Sequence, residues 1–103
     1  MLEDTVQKKV KKVVLPTYEM KSVSGKIYDA ATGEAMAGVR VQALSNSYYT
    51  AMTDENGAYT ISVPKFVTAL YISVSGYNGM QIPIKGETGQ DAKLYTTHFK
   101  ELY

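Results

Sequence analysis

A polar turn followed by an alternating run constrains this chain more than any other stretch. The turn contains Asp54, Asn56 and Gly57. Asp54 can accept backbone N–H groups, while Asn56 and Gly57 tolerate the left-handed backbone of a tight turn. Apolar side chains then alternate with small or polar ones over residues 58–63, which is the period of a half-buried strand. Pro64 ends the run because proline has no N–H to donate. The stretch predicts the turn of a β-hairpin and its outgoing strand.

Similar short runs recur along the chain, separated by turn residues. Gly33 and Gly76 fall in two of these predicted turns. No segment keeps a helical period long enough to compete with the strand pattern. About seven short strands, with turn signals roughly 8–12 residues apart, favour an all-β, seven-stranded antiparallel β-sandwich. The predicted strands span residues 21–29, 38–44, 48–52, 58–63, 70–74, 80–84 and 92–95.

The alternation also predicts which side chains form the core. Apolar side chains on the inward faces of the strands should meet, and each stabilises the fold by about 1.5–3 kcal/mol when fully buried. The predicted core residues are Val23, Ile27, Val39, Val41, Tyr59, Ile61, Val63, Leu70, Ile72, Val74, Ile82 and Ile84.

The chain divides into a sandwich and two flanking segments. Residues 21–96 are predicted to form the sandwich. Residues 1–20 form a polar lead-in, in which Val13–Leu15 is a candidate short edge strand. Residues 97–103 are predicted to be a tail or the start of a following region.

Composition excludes several classes of function. Lys and Arg number 11 against 10 Asp and Glu, which leaves a net charge of +1. There is therefore no electrostatic case for binding nucleic acid or an acidic membrane surface. The chain has no cysteine, so disulfides and thiolate metal sites are excluded. No apolar run approaches the roughly 20 residues of a membrane helix, so this segment is not expected to insert into a membrane.

Three sequence blocks, in order, resemble the carboxypeptidase regulatory-like domain family. Residues 23–41 resemble its opening pattern V-x-G-x-V-x-D…T-G-x-P-L-x-G-V-x-V, with Ala35 where proline is usual. Residues 53–59 resemble its T-D-x-x-G-x-[YF] turn, and residues 70–77 its L-x-[FV]-S-x-x-G-Y strand, with Ile72 as an apolar variant. The resemblance implies a non-catalytic, transthyretin-like (prealbumin-like) sandwich of seven strands.

The Ser-x-x-Gly-Tyr ending at Gly76 and Tyr77 narrows the resemblance. It is similar to the N-terminal extension of starch-utilisation-type TonB-dependent receptors, which import glycans and other nutrients across the outer membrane. The resemblance implies a domain on the periplasmic side of the outer membrane, attached to the plug and barrel of a receptor. A periplasmic energising or signalling protein is the further partner that it suggests.

Catalytic and metal-binding residues are sparse. His98 is the only histidine, and a catalytic triad needs a base that a third group orients next to a nucleophile. We therefore expect neither enzymatic activity nor a cofactor. Asp54, Glu55 and Asn56 place three oxygen-bearing side chains on one turn, but calcium takes about six to eight oxygen ligands. Capping of the turn is the expected role, and no metal site is predicted.

Contact surfaces remain as candidates. Pro83 suits an edge strand because it cannot donate a ladder bond, so the edge containing Ile82, Pro83 and Ile84 is the predicted contact with a partner. A structural spacer, or a carbohydrate-binding sandwich of a secreted or cell-surface protein, is the alternative. The tyrosines that could stack on a glycan, or equally pack within the domain, are Tyr48, Tyr49, Tyr71, Tyr77 and Tyr95.

Overall fold

Two β-sheets pack face to face around an apolar core. The computed structural model describes residues 17–97, which contain no α-helix, and the all-β sandwich prediction is confirmed. The strands are β1 (Met20–Asp29), β2 (Arg40–Ala43), β3 (Asn46–Met52), β4 (Ala58–Pro64), β5 (Ala69–Ser73), β6 (Met80–Pro83) and β7 (Ala92–Leu94).

The sheets have three and four strands, and one pair is parallel. Their strand orders are β4-β1-β7 and β3-β2-β5-β6. β7 runs parallel to β1, with Ile27 opposite Ala92 and Asp29 opposite Leu94, whereas the other pairs are antiparallel. The predicted antiparallel pairing is therefore wrong for this one pair of strands. The connection between β6 and β7 brings the chain back alongside the middle of β1, where Gln90 N–H bonds to Ser24 O. From there β7 runs in the same direction as β1.

The turn at Asp54–Gly57 joins the two sheets, and the predicted β-hairpin is wrong. β3 pairs with β2 in the four-stranded sheet, while β4 pairs with β1 in the three-stranded sheet. Thr53, buried just after β3, directs the chain between the layers. Its Oγ1 donates to Met36 O at 2.6 Å and accepts Val39 N–H at 2.9 Å. The hydroxyl thereby bonds the end of β3 to the segment that precedes β2. The next strand, β4, then lies in the other sheet.

The core contains most of the predicted residues. Val74 and Ile84 are the exceptions, being only partly buried, because each lies just beyond the end of its strand. Small and late-chain residues were not predicted: Ala43, Ala69, Ala92 and Leu94 are buried as well. The predicted core residues that are buried are Val23, Ile27, Val39, Val41, Tyr59, Ile61, Val63, Leu70, Ile72 and Ile82.

Some of the sequence predictions fall outside the part of the chain that the structure describes. They are the edge strand at Val13–Leu15 and the tail from His98 onward. The division at residues 21 and 96 stays a prediction. Residues 17–97 include no helix of the length and hydrophobicity that crossing a membrane requires.

Candidate functional site

The three sequence blocks meet at one end of the sandwich, here called the exit end. It is formed by the β1–β2 connection (30–39), the β3–β4 turn (53–57), the β5–β6 connection (74–79) and residues 95–97. Strands β1, β3, β5 and β7 all finish there because they run in one direction. The last described residues, 95–97, therefore lie at the end of the sandwich that carries the three sequence blocks.

Asp54 organises the β3–β4 turn through hydrogen bonds to nearby backbone N–H groups. Its Oδ1 accepts the N–H groups of Asn56 at 2.8 Å and Ala58 at 3.0 Å. The backbone closes the turn with Gly57 N–H bonded to Asp54 O and Asp54 N–H to Ala58 O, both at 2.9 Å. The carboxylate is thus occupied as a turn cap. Among residues 17–97, no three His, Cys, Asp or Glu side chains gather as a metal site would need.

Gly57 combines a left-handed backbone with a close approach. Its φ is +75°, and its carbonyl accepts Ile27 N–H at 2.9 Å. A Cβ at this position would lie 2.8 Å from Ile27 O and 2.9 Å from the Cβ of Ala35. Gly33 and Gly76 also have positive φ, at +78° and +89°, but no atom lies within 4 Å of a Cβ built there. All three turn glycines thus have a backbone that disfavours a side chain, and at Gly57 neighbouring atoms also occupy the space that a Cβ would need.

A hydrogen bond between Tyr77 and Asp29 connects the first and third blocks. The Tyr77 hydroxyl donates to Asp29 Oδ2 at 2.6 Å. Asp29 Oδ1 accepts the N–H groups of Ala31 at 2.8 Å and Thr32 at 3.1 Å. The Tyr77 bond, followed by these backbone bonds, lowers the pKa of Asp29, and the same bond to the carboxylate raises the pKa of Tyr77.

The segment that leaves the domain is also fixed at this end. Tyr77 and Thr96 form an antiparallel bridge. Asn78 N–H donates to Tyr95 O at 2.9 Å, and Thr97 N–H donates to Gly76 O at 3.0 Å. The Gly76–Tyr77 ending therefore holds the chain for three residues beyond β7.

These observations agree with a comparison against known families. A family model for the CarboxypepD_reg-like domain matches residues 23–101. The chain belongs to this family. The match covers all three sequence blocks, so the predicted resemblance is confirmed. Members of the family are accessory, non-catalytic domains. No curated protein matches the sequence.

A second polar cluster in this CarboxypepD_reg-like domain was not predicted from sequence. The buried Tyr59 hydroxyl donates to Gln90 O at 2.6 Å, and Gln90 N–H donates to Ser24 O at 3.1 Å. A Cβ on Gly25 would lie 2.1 Å from Gln90 O. Glycine in the middle of a strand signals such an approach of another backbone, but nothing in the sequence names Gln90 as the residue that approaches.

The amide of Gln90 is also bonded, and burial changes the ionisation of Tyr59. Gln90 Oε1 accepts Lys85 N–H at 3.0 Å, and its Nε2 donates to Thr88 O at 2.7 Å. Desolvation, with a smaller effect of the Asp91 charge, raises the pKa of Tyr59 to about 12. Both buried polar side chains have partners, so the cluster stabilises the loop before β7 and leaves no reactive group.

The residues predicted to contact a partner lie on or next to an edge strand. β6 is the last strand of the four-stranded sheet, with Ile82 buried, Ile84 partly buried and Pro83 exposed. Ile84 N–H donates inward to Thr68 O at 2.9 Å, so the alternation of strand backbone points the groups of Gln81 and Pro83 outward. Since Pro83 has no N–H, β6 offers a partner strand few donors.

The candidate tyrosines do not form one platform. Tyr48 is 81% exposed, and its ring lies 5.0 Å from that of Tyr49. Tyr77 is engaged with Asp29, and Tyr95 lies at the exit end, where its carbonyl accepts Asn78 N–H. His98, the sole histidine of the sequence, lies outside the described residues.

Replacing Tyr77 with phenylalanine is expected to weaken the acid-side dependence of stability. In the fold, the pKa of Asp29 lies below its ordinary value of 3.8. Ionised Asp29 therefore stabilises the native state above that pH, and the stabilisation is lost as pH falls through the lowered pKa. Tyr77→Phe removes the largest cause of the shift. Urea unfolding measured from about pH 7 down to about pH 2 should show a smaller fall in stability than in wild type.

Tyr28→Phe is the matched control, because no described hydrogen bond uses the Tyr28 hydroxyl. It should follow the wild-type pH profile. Identical profiles for Tyr77→Phe and wild type would show that the hydrogen bond does not hold Asp29 in its ionised form.

Proposed function

We propose that this CarboxypepD_reg-like domain is the periplasmic accessory domain of a TonB-dependent outer-membrane nutrient receptor, and that it acts by contact. The Gly76–Tyr77 ending, which resembles the extension of such receptors, supports the assignment. In this proposal the plug and barrel of the receptor follow the domain in the same chain. The location is the periplasmic side of the outer membrane.

The observation that carries the proposal is the use of the motif residues at the exit end. Asp29, Asp54 and Tyr77 are all engaged in bonds within the domain, and residues 95–97 are bridged to the β5–β6 connection. Motif residues that are occupied in this way position the outgoing chain and leave no assembled set of groups for chemistry. A module that holds its own outgoing residues 95–97 suits a role in contact.

Contact is assigned to an edge of the sheet. We retain β6, with Ile82, Pro83 and Ile84, as the surface for a periplasmic energising or signalling protein. Its few outward donors limit the number of backbone bonds, so exposed side chains on this edge would contribute most of the contact. The alternative is a structural spacer that only holds distance and makes no specific contact.

Deletion of residues 1–96 from the full-length receptor tests the proposal. The deleted receptor is expected to assemble in the outer membrane, because the barrel does not depend on an appended sandwich. Uptake of its nutrient, or induction of its genes, should be impaired. A reading frame that does not continue into a plug and barrel after Tyr103, or a deleted receptor that behaves as wild type in both assays, would overturn it.

A further inference from the structure

A cleft lies at the end of the sandwich opposite the exit end, and is here called the entry cleft. It lies between residues 17–19, the β2–β3 turn and the β4–β5 connection, with a volume of about 360 Å³. Its walls are Tyr18, Leu44, Tyr49 and Phe66. None of these four residues belongs to the motif blocks or to the predicted contact edge, so the proposed function gives the cleft no role.

Two aromatic walls are exposed and pack against each other. Phe66 is 65% exposed and Tyr18 is 45% exposed, with ring centroids 5.0 Å apart and planes at 83°. Lys65 N–H donates to Glu19 O at 2.8 Å, and the Lys65 Nζ lies 3.3 Å from Glu19 Oε1. These bonds attach the neighbours of the two rings to each other. The rings therefore form a corner that exists before any ligand binds.

The floor of the cleft is closed. Ala43, Pro64 and Ala69 line it and are buried, so the opening ends on the core and does not continue through the sandwich. The volume lies within the roughly 300–1,000 Å³ of small-molecule sites. Small side chains at the floor with large rings at the walls produce a depression bounded by flat apolar faces.

The polar atoms of the lining are neutral. Ser45, Asn46 and Thr68 supply hydroxyl and amide groups, and no lining residue carries a charge. Lys65 and Glu19, the nearby charges, are paired with each other. A phosphate, carboxylate or ammonium ligand would leave water without a compensating charge, which is costly. The cleft therefore favours a neutral ligand that has both apolar faces and hydroxyl groups.

A polypeptide strand fits this place poorly. The register of β2 and β3 shifts between Gln42 and Ala43, so the β3 edge beside the cleft is irregular. Asn46 Oδ1 accepts the Tyr48 N–H at 3.0 Å, so one backbone donor of β3 is already occupied beside the cleft. Backbone pairing is thereby disfavoured next to the aromatic corner.

We propose that the entry cleft binds a neutral oligosaccharide. The C–H face of a pyranose ring packs against Phe66 or Tyr18, and the sugar hydroxyls bond to the side chains of Asn46, Ser45 or Thr68. Binding depends on the cleft alone and holds whether or not the domain belongs to a receptor.

The test is titration of the full chain with neutral hexaoses of glucose (α- and β-linked), mannose and xylose, followed by backbone amide NMR. At least one hexaose is expected to shift the resonances of residues 44–46 and 64–68. Phe66→Ala should weaken that binding at least tenfold. Tyr95→Ala is the matched control, because Tyr95 is 63% exposed but lies outside the cleft, and it should bind as wild type does.

Two results would overturn the proposal. In the first, none of the hexaoses shifts the cleft resonances. In the second, a hexaose binds equally well to Phe66→Ala and to wild type, which places its site elsewhere. Circular dichroism of each variant, unchanged from wild type, separates loss of binding from loss of fold. A cleft that responds to a periplasmic protein but to none of the hexaoses is a case of the first result, and it leaves the accessory role of the domain intact.

Discussion

Gly57→Ala is expected to lower the free energy of unfolding by about 2–5 kcal/mol. A left-handed backbone costs an alanine about 1–2 kcal/mol. The added Cβ would also lie 2.8 Å from Ile27 O, and relieving such overpacking typically costs about 1–3 kcal/mol. Ile27 N–H is bonded to Gly57 O, so any shift also disturbs the contact between the turn and β1. Gly57→Val should cost more than the alanine variant, because a β-branched side chain fits this conformation less well.

Gly33→Ala separates the two causes. Gly33 has a similar φ of +78°, with no atom within 4 Å of a built Cβ. It should lose only about 1–2 kcal/mol, the conformational cost. Urea unfolding with unchanged m-values provides the comparison. Equal losses for the two alanine variants would show that the approach of residues 27, 35 and 36 to Gly57 does not contribute.

Gly25→Ala is also expected to destabilise the domain by about 2–6 kcal/mol. The new Cβ would lie 2.1 Å from Gln90 O and 2.5 Å from its carbonyl carbon, and backbone atoms cannot turn aside as a side-chain end can. Displacing Gln90 would also leave the buried Tyr59 hydroxyl without its acceptor, which costs about 1–3 kcal/mol. Overpacking adds a cost of similar size.

Gly79→Ala is the control for this substitution. Its Cβ would lie 1.9 Å from the Tyr71 hydroxyl oxygen, but that atom ends a partly exposed side chain that can rotate away. A change below about 1 kcal/mol is expected.

Ultraviolet titration of tyrosine ionisation gives a second readout for Gly25→Ala. In the wild-type fold, burial raises the pKa of Tyr59 to about 12. The folding stability that neutral Tyr59 contributes is therefore retained up to about pH 10 and lost towards pH 12. In Gly25→Ala the Tyr59 pKa should fall towards 10, and an unchanged value would contradict the account.

Local patterns in the sequence predict the strands well. Alternation places each strand within a few residues of its observed bounds, because side chains of a half-buried strand must alternate whatever the strand pairs with. Turn chemistry likewise identifies Asp54 and Gly57, since the capping bonds join residues only two to four positions apart. The family resemblance adds the sandwich fold. These features depend on near neighbours in the chain.

Which strands pair with each other could not be predicted from local sequence patterns in the same way. β3 and β4 flank one turn, yet they lie in different sheets, because alternation fixes which face of a strand is inward and leaves its partner open. The parallel register of β7 with β1 joins residues 65 positions apart, as Ile27 opposite Ala92 shows. The same limit explains why the sequence predicted a hairpin at Asp54–Gly57 and did not predict the parallel β1–β7 pair.

The candidate sites show the same division. Pro83 predicted an edge strand, because a missing N–H is a property of that residue alone. The aromatic corner of Tyr18 and Phe66 was not predicted, since the two rings meet from segments 48 positions apart and each is isolated in sequence. Gln90 sits in a polar loop, and only the fold brings it to Tyr59.

Replacement of the domain in the proposed full-length receptor tests the central proposal, which is action by contact, most directly. Residues 1–96 are exchanged for an unrelated β-sandwich of similar size, and nutrient uptake and gene induction are measured in cells with equal amounts of receptor in the outer membrane. The account predicts that the exchanged receptor is as impaired as the deleted one, because the foreign sandwich lacks the β6 edge. Full recovery of both activities by the foreign sandwich would contradict it and establish the domain as a spacer.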